Sequence, residues 1–414
     1  MTPEGGGTRI PDGLRRFLIA NSGFTFAMGI QHVMFSWLLA GPLAQTPERI
    51  GLAQAALMAS GVAFILFGGL VAERVDGRRM LPVLHALAAL PPLAVAWSVA
   101  SGSLRYEQML GYALAVGIAG AFIAPARDAL LNRVSEGAIP RAVALQLTAM
   151  WVGQLLGFVL AGSAERIGAA SVLCVQAAAL LAAAVAYTRV RPKHAHAGER
   201  GGSGLYEVFD AVREALRSPR LRAPLAMQFA IGLLLAGTWT VTTQLLVRDV
   251  YGGGATETSL AFGAMMIGTM AGTAAVALRG GVRRQGRLLV VAFVASGITT
   301  AVLSLAPTLR VALPIIVVWG AWNGLAVTMT RTIAQESAPA SHRARVLSIF
   351  QLAILIGAPL GSWAMGLAIG SQGAARALWL PSAGLFGAGA VAALASGLPR
   401  IEALPVAPAP ARPT

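Results

Sequence analysis

Apolar stretches of about 20 residues recur along the whole chain, and this feature constrains the fold more than any other. Only 12% of the 414 residues are charged, against about 25% in soluble domains, so most of the chain is not built to face water. Continuous apolar runs of this length cross lipid as α-helices, since a helix satisfies its own backbone hydrogen bonds. The sequence predicts an all-α membrane protein with twelve transmembrane helices, centred near Gly29, Gly61, Pro91, Ala115, Gly153, Ala179, Gly237, Gly268, Ala295, Trp319, Gly357 and Gly387.

The placement of the arginines explains the net charge of +15. They cluster before the first apolar stretch and after the second, fourth, sixth, eighth and tenth. Clustered basic residues mark cytoplasmic connections, which predicts that both termini lie in the cytoplasm. Because the charge is a topology signal, a nucleic-acid partner is not expected. The intervening connections carry one arginine each: Arg49, Arg105, Arg166, Arg248, Arg310 and Arg376.

The chain divides into two six-helix halves around residues 190–222, its longest polar interruption. This segment is predicted to be a cytoplasmic linker with an amphipathic helix, between bundles at 1–189 and 223–399. The Pro- and Ala-rich tail, 400–414, is predicted to be disordered. A shift of 204 residues superposes Gly357 on Gly153 and Gly361 on Gly157, as well as Gly366 on Gly162 and Arg331 on Arg127. Such pseudo-repeats are typical of transporters that work by alternating access.

A charged segment, GGLVAERVDGRRML at residues 68–81, separates the second and third apolar stretches. It has a glycine, an acid four residues later, an arginine and then a basic pair, and in this order it resembles the loop signature of the major facilitator superfamily. The matching residues are Gly69, Glu73, Arg74, Arg78 and Arg79, with Asp76 and Gly77 displacing the basic pair by one position. GIQHVMFSWLLAG and PARDALLNRV also resemble the bacterial small-molecule exporter branch that includes enterobactin and drug efflux proteins.

The resemblance implies a charge network that closes the cytoplasmic side in one transport state. Charges are costly inside the bilayer, which independently keeps this loop at the membrane surface. The alternative is that the arginines set the topology alone. The residues assigned to the gate are Glu73, Arg74, Asp76, Arg78, Arg79, Arg127, Asp128 and Arg331.

The sequence predicts a secondary transporter rather than an enzyme or an ATP-driven pump. A phosphate-binding GxxxxGK[ST] loop does not occur, so the energy must come from a gradient. No cofactor or metal is expected. A proton-coupled carrier needs a titratable group within reach of both sides, and His32 lies inside the first apolar stretch. Asp128 and Glu107 are the rival candidates, and His32 can equally be a hydrogen-bonded packing residue.

In the major facilitator superfamily the first, fourth, seventh and tenth spans line the central cavity. Aromatic planes with a few amides in these spans favour a bulky, partly apolar small molecule as substrate. The residues that the resemblance places there are Gln31, His32, Tyr112, Trp239, Thr243, Trp319, Trp322 and Asn323.

The expectation is therefore a monomeric, proton-coupled exporter of a drug-like or siderophore-like molecule in a bacterial inner membrane. Two alternatives remain open. One is an importer with the same fold. The other is a lipid flippase, which requires a lateral opening and a long apolar groove beside the cavity.

Overall fold

The computed structural model describes residues 10–135, 139–191, 213, 216–218, 220–279, 281–338 and 343–403. The first half contains α1 (Asp12–Ala40), α2 (Pro47–Arg74), α3 (Gly77–Ala100), α4 (Tyr106–Val134), α5 (Ile139–Ala161) and α6 (Ala169–Thr188). The second half contains α7 (Arg222–Asp249), α8 (Ala255–Leu278), α9 (Gln285–Ser304), α10 (Leu309–Ser337), α11 (Arg343–Gln372) and α12 (Ala374–Ala395). Most of the linker at 190–222, including most of the predicted amphipathic helix, lies outside the described residues.

Eleven of these helices are long and apolar enough to cross a membrane. The remaining one, α2, has 28 residues and packs against α4 and α11. Each predicted span centre falls within the corresponding helix. The predicted all-α fold with twelve membrane helices is confirmed.

Two of the spans are interrupted, each for a local reason. In α3 the helix breaks at Ala89, before Pro91 and Pro92, because proline lacks an N–H donor and its ring clashes with the preceding turn. In α7 the segment Ile231–Ala236 widens into a π-helix, a distortion that is frequent at functional sites.

Glycines let helices touch at the same place in both halves. A Cβ atom added to Gly157 of α5 would lie 2.8 Å from Cα of Gly29 in α1. A Cβ atom added to Gly361 of α11 would lie 2.8 Å from the carbonyl carbon of Leu233 in α7. The repeat read from the glycines therefore corresponds to a repeated helix contact, in which small residues permit close approach.

Two helix pairs form seams between the halves: α5 with α8, and α2 with α11. At the first seam, a Cβ atom added to Gly162 would lie 2.9 Å from Ser259 Oγ. At the second, one added to Gly366 would lie 2.9 Å from Cα of Gly51. Gly162 and Gly366, which superpose in the sequence repeat, therefore occupy matching positions at the two seams.

The bundle has two different ends. The end that carries the arginine-rich connections after α2, α4, α8 and α10 is called the basic end. The other end, with connections 41–46, 101–105, 162–168, 250–254 and 305–308, is called the latched end. Among the described residues, hydrogen bonds between the halves lie at the latched end, or midway along α2 and α11 where Ser362 Oγ contacts Met58 Sδ at 3.8 Å.

Backbone hydrogen bonds join residues 401 and 403, in the first part of the predicted tail, to the start of α9 and the residues before it. Leu398–Arg400 forms a 3₁₀ turn, and the carbonyl of Ile401 accepts a hydrogen bond from the Gly286 amide at 3.1 Å. The amide of Ala403 donates to the carbonyl of Arg283 at 2.8 Å. The described chain continues to residue 403, and residues 404–414 lie outside the described part.

Candidate functional site

A cavity of about 260 Å³ lies midway along the bundle, where the two halves meet. The first half contributes α5, and the second half contributes α7, α8, α10 and α11. The π-helix of α7 supplies part of the wall, so the backbone distortion shapes the cavity. Its lining residues are Trp151, Gln154, Phe158, Ile231, Leu235, Ala236, Trp239, Phe262, Met265, Met266, Thr269, Asn323, Val327 and Ile354.

Aromatic rings close this cavity on the side of the latched end. Phe158 of the first half meets Phe262 of the second edge to face, with ring centroids 5.8 Å apart. Trp239 packs against Phe262 at 4.5 Å and against Trp319 at 6.4 Å. This row of four rings is here called the aromatic roof. It crosses from one half to the other between Phe158 and Phe262, and these two rings must separate if the halves move apart at the latched end.

The polar groups of the cavity are few and uncharged. The hydrogen-bonding groups among the described lining residues are the side chains of Gln154, Thr269 and Asn323 and the indole N–H groups of Trp151 and Trp239. Asn323 Oδ1 is buried without a hydrogen-bond partner in the described part of the chain, and so is Nε1 of Trp319 in the roof. A buried polar atom without a partner is costly, so a solute that reaches Asn323 Oδ1 from the cavity would be stabilised by donating a hydrogen bond to it.

The structure brings two of the predicted cavity residues, Trp239 and Asn323, to the cavity wall. Trp319 and Thr243 are buried, and Trp322 is partly buried against the hydrophobic core.

Two predicted cavity residues from the first half lie elsewhere. Gln31 is buried. Tyr112 accepts a hydrogen bond from Gln176 Nε2 at 2.9 Å and stacks on Phe35. The first half lines the cavity through Trp151, Gln154 and Phe158 of α5, which the sequence reasoning did not select.

His32 lies behind the aromatic roof rather than on the cavity wall. Its ring is 6.5 Å from that of Phe158, and its Nδ1 lies 2.6 Å from the carbonyl oxygen of Met28. Movement of Phe158 would therefore change the surroundings of the imidazole.

The two rival proton carriers lie at opposite ends of α4. Glu107 is exposed in its first turn, at the latched end. Asp128 lies near the basic end, and its side chain is 61% exposed and paired with Arg127 at 2.9 Å.

The centre of the charge network at the basic end is an ion pair between Asp76 and Arg133. Arg133 Nη1 lies 2.7 Å from Asp76 Oδ1. The same carboxylate oxygen accepts the Arg78 amide at 3.0 Å and so caps the N-terminus of α3. Asp76, which departs from the family pattern, thus ties the start of α3 to the last turn of α4. Arg133 was not selected from the sequence, although it belongs to the PARDALLNRV motif.

The other predicted gate residues are more open. Arg74, Arg78, Arg79 and Arg331 are exposed, and Arg127 pairs with its neighbour Asp128. The side chain of Glu73 lies outside the described part of the structure.

Arg248 forms the first of two polar contacts that join the halves at the latched end. It stands in the last turn of α7, and its Nη1 donates to the carbonyls of Ala40 at 3.0 Å and Gln45 at 3.1 Å. Its guanidinium also pairs with Asp249. One arginine therefore connects α7 to the α1–α2 connection.

Glu165 and Thr256 form the second contact. Glu165 Oε1 accepts the amide of Ala255 at 3.1 Å, at the N-terminus of α8 where the helix dipole favours a negative charge. Thr256 Oγ1 donates to the carbonyl of Gly162 at 2.8 Å. The sequence reasoning did not identify these latches. The available signal was an acid adjacent to the single arginine of a connection, as in Glu165–Arg166 and Arg248–Asp249.

The arrangement is that of two pseudo-symmetric helix bundles around a shared cavity, latched at one end. The model of the Major Facilitator Superfamily matches residues 17–362 of the sequence, which is most of the chain. The chain belongs to the major facilitator superfamily. No curated protein matches it in sequence.

Solved structures of this superfamily share its fold at low sequence identity. A mutant of the nucleoside transporter NupG superposes with a TM-score of 0.76 at 12% identity, over 92% of this chain and 99% of NupG. A POT family transporter in complex with 5-aminolevulinic acid gives 0.73 at 11% identity, over 94% and 97% of the two chains. A bacterial homologue of the human lysosomal transporter Spinster, in an inward-facing conformation, gives 0.69 at 13% identity, over 95% and 97%.

Proposed function

We propose that this major facilitator protein is a secondary active transporter that exports a small, partly apolar molecule in exchange for protons. The observation that carries this proposal is the cavity between the halves, with its aromatic walls and the unpartnered Oδ1 of Asn323. In this proposal the basic end faces the cytoplasm of a bacterial cell, in line with its arginine clusters.

The cavity lining favours a neutral substrate with an aromatic or other planar part. Its described residues include no charged side chain. Burying an ionic group there without a partner would cost roughly several kcal/mol, so a charged substrate is disfavoured. Flat rings of Trp239, Trp151 and Phe262 suit stacking against a planar solute. Two proteins of similar structure, a nucleoside transporter and a POT family transporter in complex with 5-aminolevulinic acid, agree with a small organic substrate.

The latched end supports alternating access. Joined halves at one end and a cavity behind the aromatic roof correspond to a state that is closed on the latched side. Release on that side requires breaking the Arg248 and Glu165 contacts and parting Phe158 from Phe262. Rocking of two repeats about a fixed site is the general mechanism for such folds.

Transport in everted vesicles tests the proposal. The full chain is overproduced, the vesicle interior is made acidic, and uptake of radiolabelled uridine, a neutral planar probe, is compared with that of 5-aminolevulinic acid. We expect uridine to accumulate and a protonophore to abolish the accumulation. Vesicles without the protein are the control.

The opposite direction of transport would contradict export. If intact cells accumulate uridine through this protein down an inward proton gradient, the importer alternative is correct. If neither preparation moves either probe, a screen of a deletion strain against toxic compounds identifies the substrate class.

A lipid flippase is the second candidate function, and one observation favours it. An apolar groove runs beside the central cavity, between α5 and α8, and Phe158 lines both.

A further inference from the structure

The groove between α5 and α8 has a volume of about 620 Å³ and opens sideways from the bundle. It is apolar along most of its length, where Val159 and Leu260 are 73% and 51% exposed. Its residues are Leu155, Phe158, Val159, Gly162, Ser163, Arg166, Thr256, Ser259, Leu260, Gly263, Ala264, Ile267, Leu313 and Val317.

The groove breaks the pseudo-symmetry of the two seams. At the α2–α11 seam, backbone meets backbone through Gly51 and Gly366. At the α5–α8 seam, helices touch near Gly162 but diverge further along, where a Cβ atom added to Gly263 would meet nothing within 4 Å. Backbone atoms therefore fill the α2–α11 seam, whereas the corresponding space at the α5–α8 seam is open.

The dimensions of the groove match one leaflet of a bilayer. Along α8 it runs from Thr256 to Ile267, which is about 16 Å at 1.5 Å per residue. Half of a hydrocarbon core of about 30 Å is about 15 Å. A chain of lipid length therefore fits from the latched end to the middle of the membrane.

The polar groups of the groove lie together at the latched end. Arg166 is exposed there, and its guanidinium has no recorded partner among the described residues. Ser259 is 8% exposed, and its Oγ has no hydrogen-bond partner in the described part of the chain. A cation and an unpaired hydroxyl above an apolar channel are complementary to a phosphate above an acyl chain.

We propose that the α5–α8 groove is a binding site for an anionic phospholipid. One acyl chain lies along Val159, Leu260 and Gly263, and the headgroup phosphate lies at Arg166 and Ser259. The bound lipid completes the seam that glycine contacts complete on the opposite side. This site is separate from the transport cavity, with Phe158 as the wall between them.

Photolabelling of the full-length protein tests the site. The protein is reconstituted in phosphatidylcholine vesicles that contain a trace of phosphatidylglycerol with a photoreactive acyl chain. We expect crosslinks on α5 and α8 within the groove. Gly263→Leu should fill the open space and reduce this labelling to background. Gly387→Leu is the matched control, because an added Cβ on Gly387 of α12, like one on Gly263, meets nothing within 4 Å, and Gly387 lies outside the groove.

The headgroup is tested with a second pair of variants. Arg166→Gln should reduce the preference for photoreactive phosphatidylglycerol over the phosphatidylcholine analogue by about fivefold, as expected for one membrane-surface charge. Arg376→Gln is the control, since Arg376 is an exposed arginine in the first turn of α12, outside the groove.

Three results would overturn the proposal: groove labelling that survives Gly263→Leu, equal labelling by both lipids in the unmodified protein, or crosslinks on Asn323 and Met265 in the cavity instead of the groove. The last result would identify the groove as a passage for a transported lipid. Labelling is read without transport, so failure of the proposed export activity leaves this test unaffected.

Discussion

At the residue scale, the unpaired oxygen of Asn323 is the most specific feature of the central cavity. It lies on α10 in a wall that is otherwise largely apolar. In a protein interior one hydrogen bond contributes about 1 kcal/mol net, and an unmet partner costs more. Substrate orientation in the proposed transporter therefore depends on this amide.

Replacing Asn323 with Leu should raise the KM for a transported neutral solute by about fivefold to tenfold, with a smaller effect on the maximal rate. The reason is the loss of one hydrogen bond, while the number and branching of the side-chain heavy atoms stay the same. Thr332→Val is the matched control, because Thr332 bonds the carbonyl of Thr328 on the same helix and does not line the cavity. Equal changes in both variants would contradict a binding role for Asn323.

His32→Ala should abolish proton-driven accumulation while leaving passive exchange of substrate intact. The reason is that His32 is a titratable side chain that lies behind Phe158, which the transport cycle must move. Counterflow and pH-driven uptake in the same vesicles separate the two activities. His85→Ala is the control, since His85 likewise lies near the carbonyl of the residue four positions earlier, at 2.7 Å, but is buried within the first half.

Unchanged coupling in the His32 variant would remove this residue from the mechanism. Attention would then shift to Asp128 and Glu107, which the structure places at opposite ends of α4.

At the scale of helices, the Asp76–Arg133 pair joins α3 to α4. Asp76→Asn and Arg133→Gln should each lower the apparent melting temperature in detergent by about 2 to 4 °C, because each leaves a partly buried polar group without its ionic partner. The double variant should lose less than the sum, as expected for residues in contact.

The Arg127–Asp128 pair provides the comparison for this double-mutant cycle of Asp76 and Arg133. Asp128 is 61% exposed, and exposed ion pairs contribute little. For this pair, the changes in melting temperature of the two single variants should add up to that of the double variant. Additivity in the Asp76–Arg133 cycle as well would show that this contact does not stabilise the basic end.

The helices themselves were predictable from the sequence because an apolar stretch of membrane length is a local property. The contacts of Gly157 and Gly361 were also predictable, since glycine at four-residue spacing serves close packing wherever the helices cross. The cavity wall was less predictable. Which face of α5 meets the cavity depends on the rotation and tilt of the helix, and a glycine motif does not reveal that its neighbours Gln154 and Phe158 point inward.

The charge contacts show the same limit. Asp76 was selected because it stands in a recognisable loop, but its partner Arg133 is 57 positions away. The contact of Arg248 with Ala40 spans 208 positions and uses a backbone carbonyl, which carries no signal in the sequence.

At the scale of the whole molecule, the account rests on two halves that rock about the central cavity. The latches formed by Arg248 and Glu165 hold the observed state at one end, and the loop charges lie at the other. Weakening the latches should therefore change both ends in opposite directions, since rigid halves that part at one end approach at the other.

Distances between spin labels measure this directly. In a background in which the free Cys174 is replaced by Ser, one pair of labels is placed at the exposed residues Ser103 and Leu305, at the latched end, and another at Arg79 and Arg279, at the basic end. The double substitution Arg248→Gln and Glu165→Gln should lengthen the 103–305 distance and shorten the 79–279 distance. Two distances that stay fixed, or that lengthen together, would contradict alternating access in this protein.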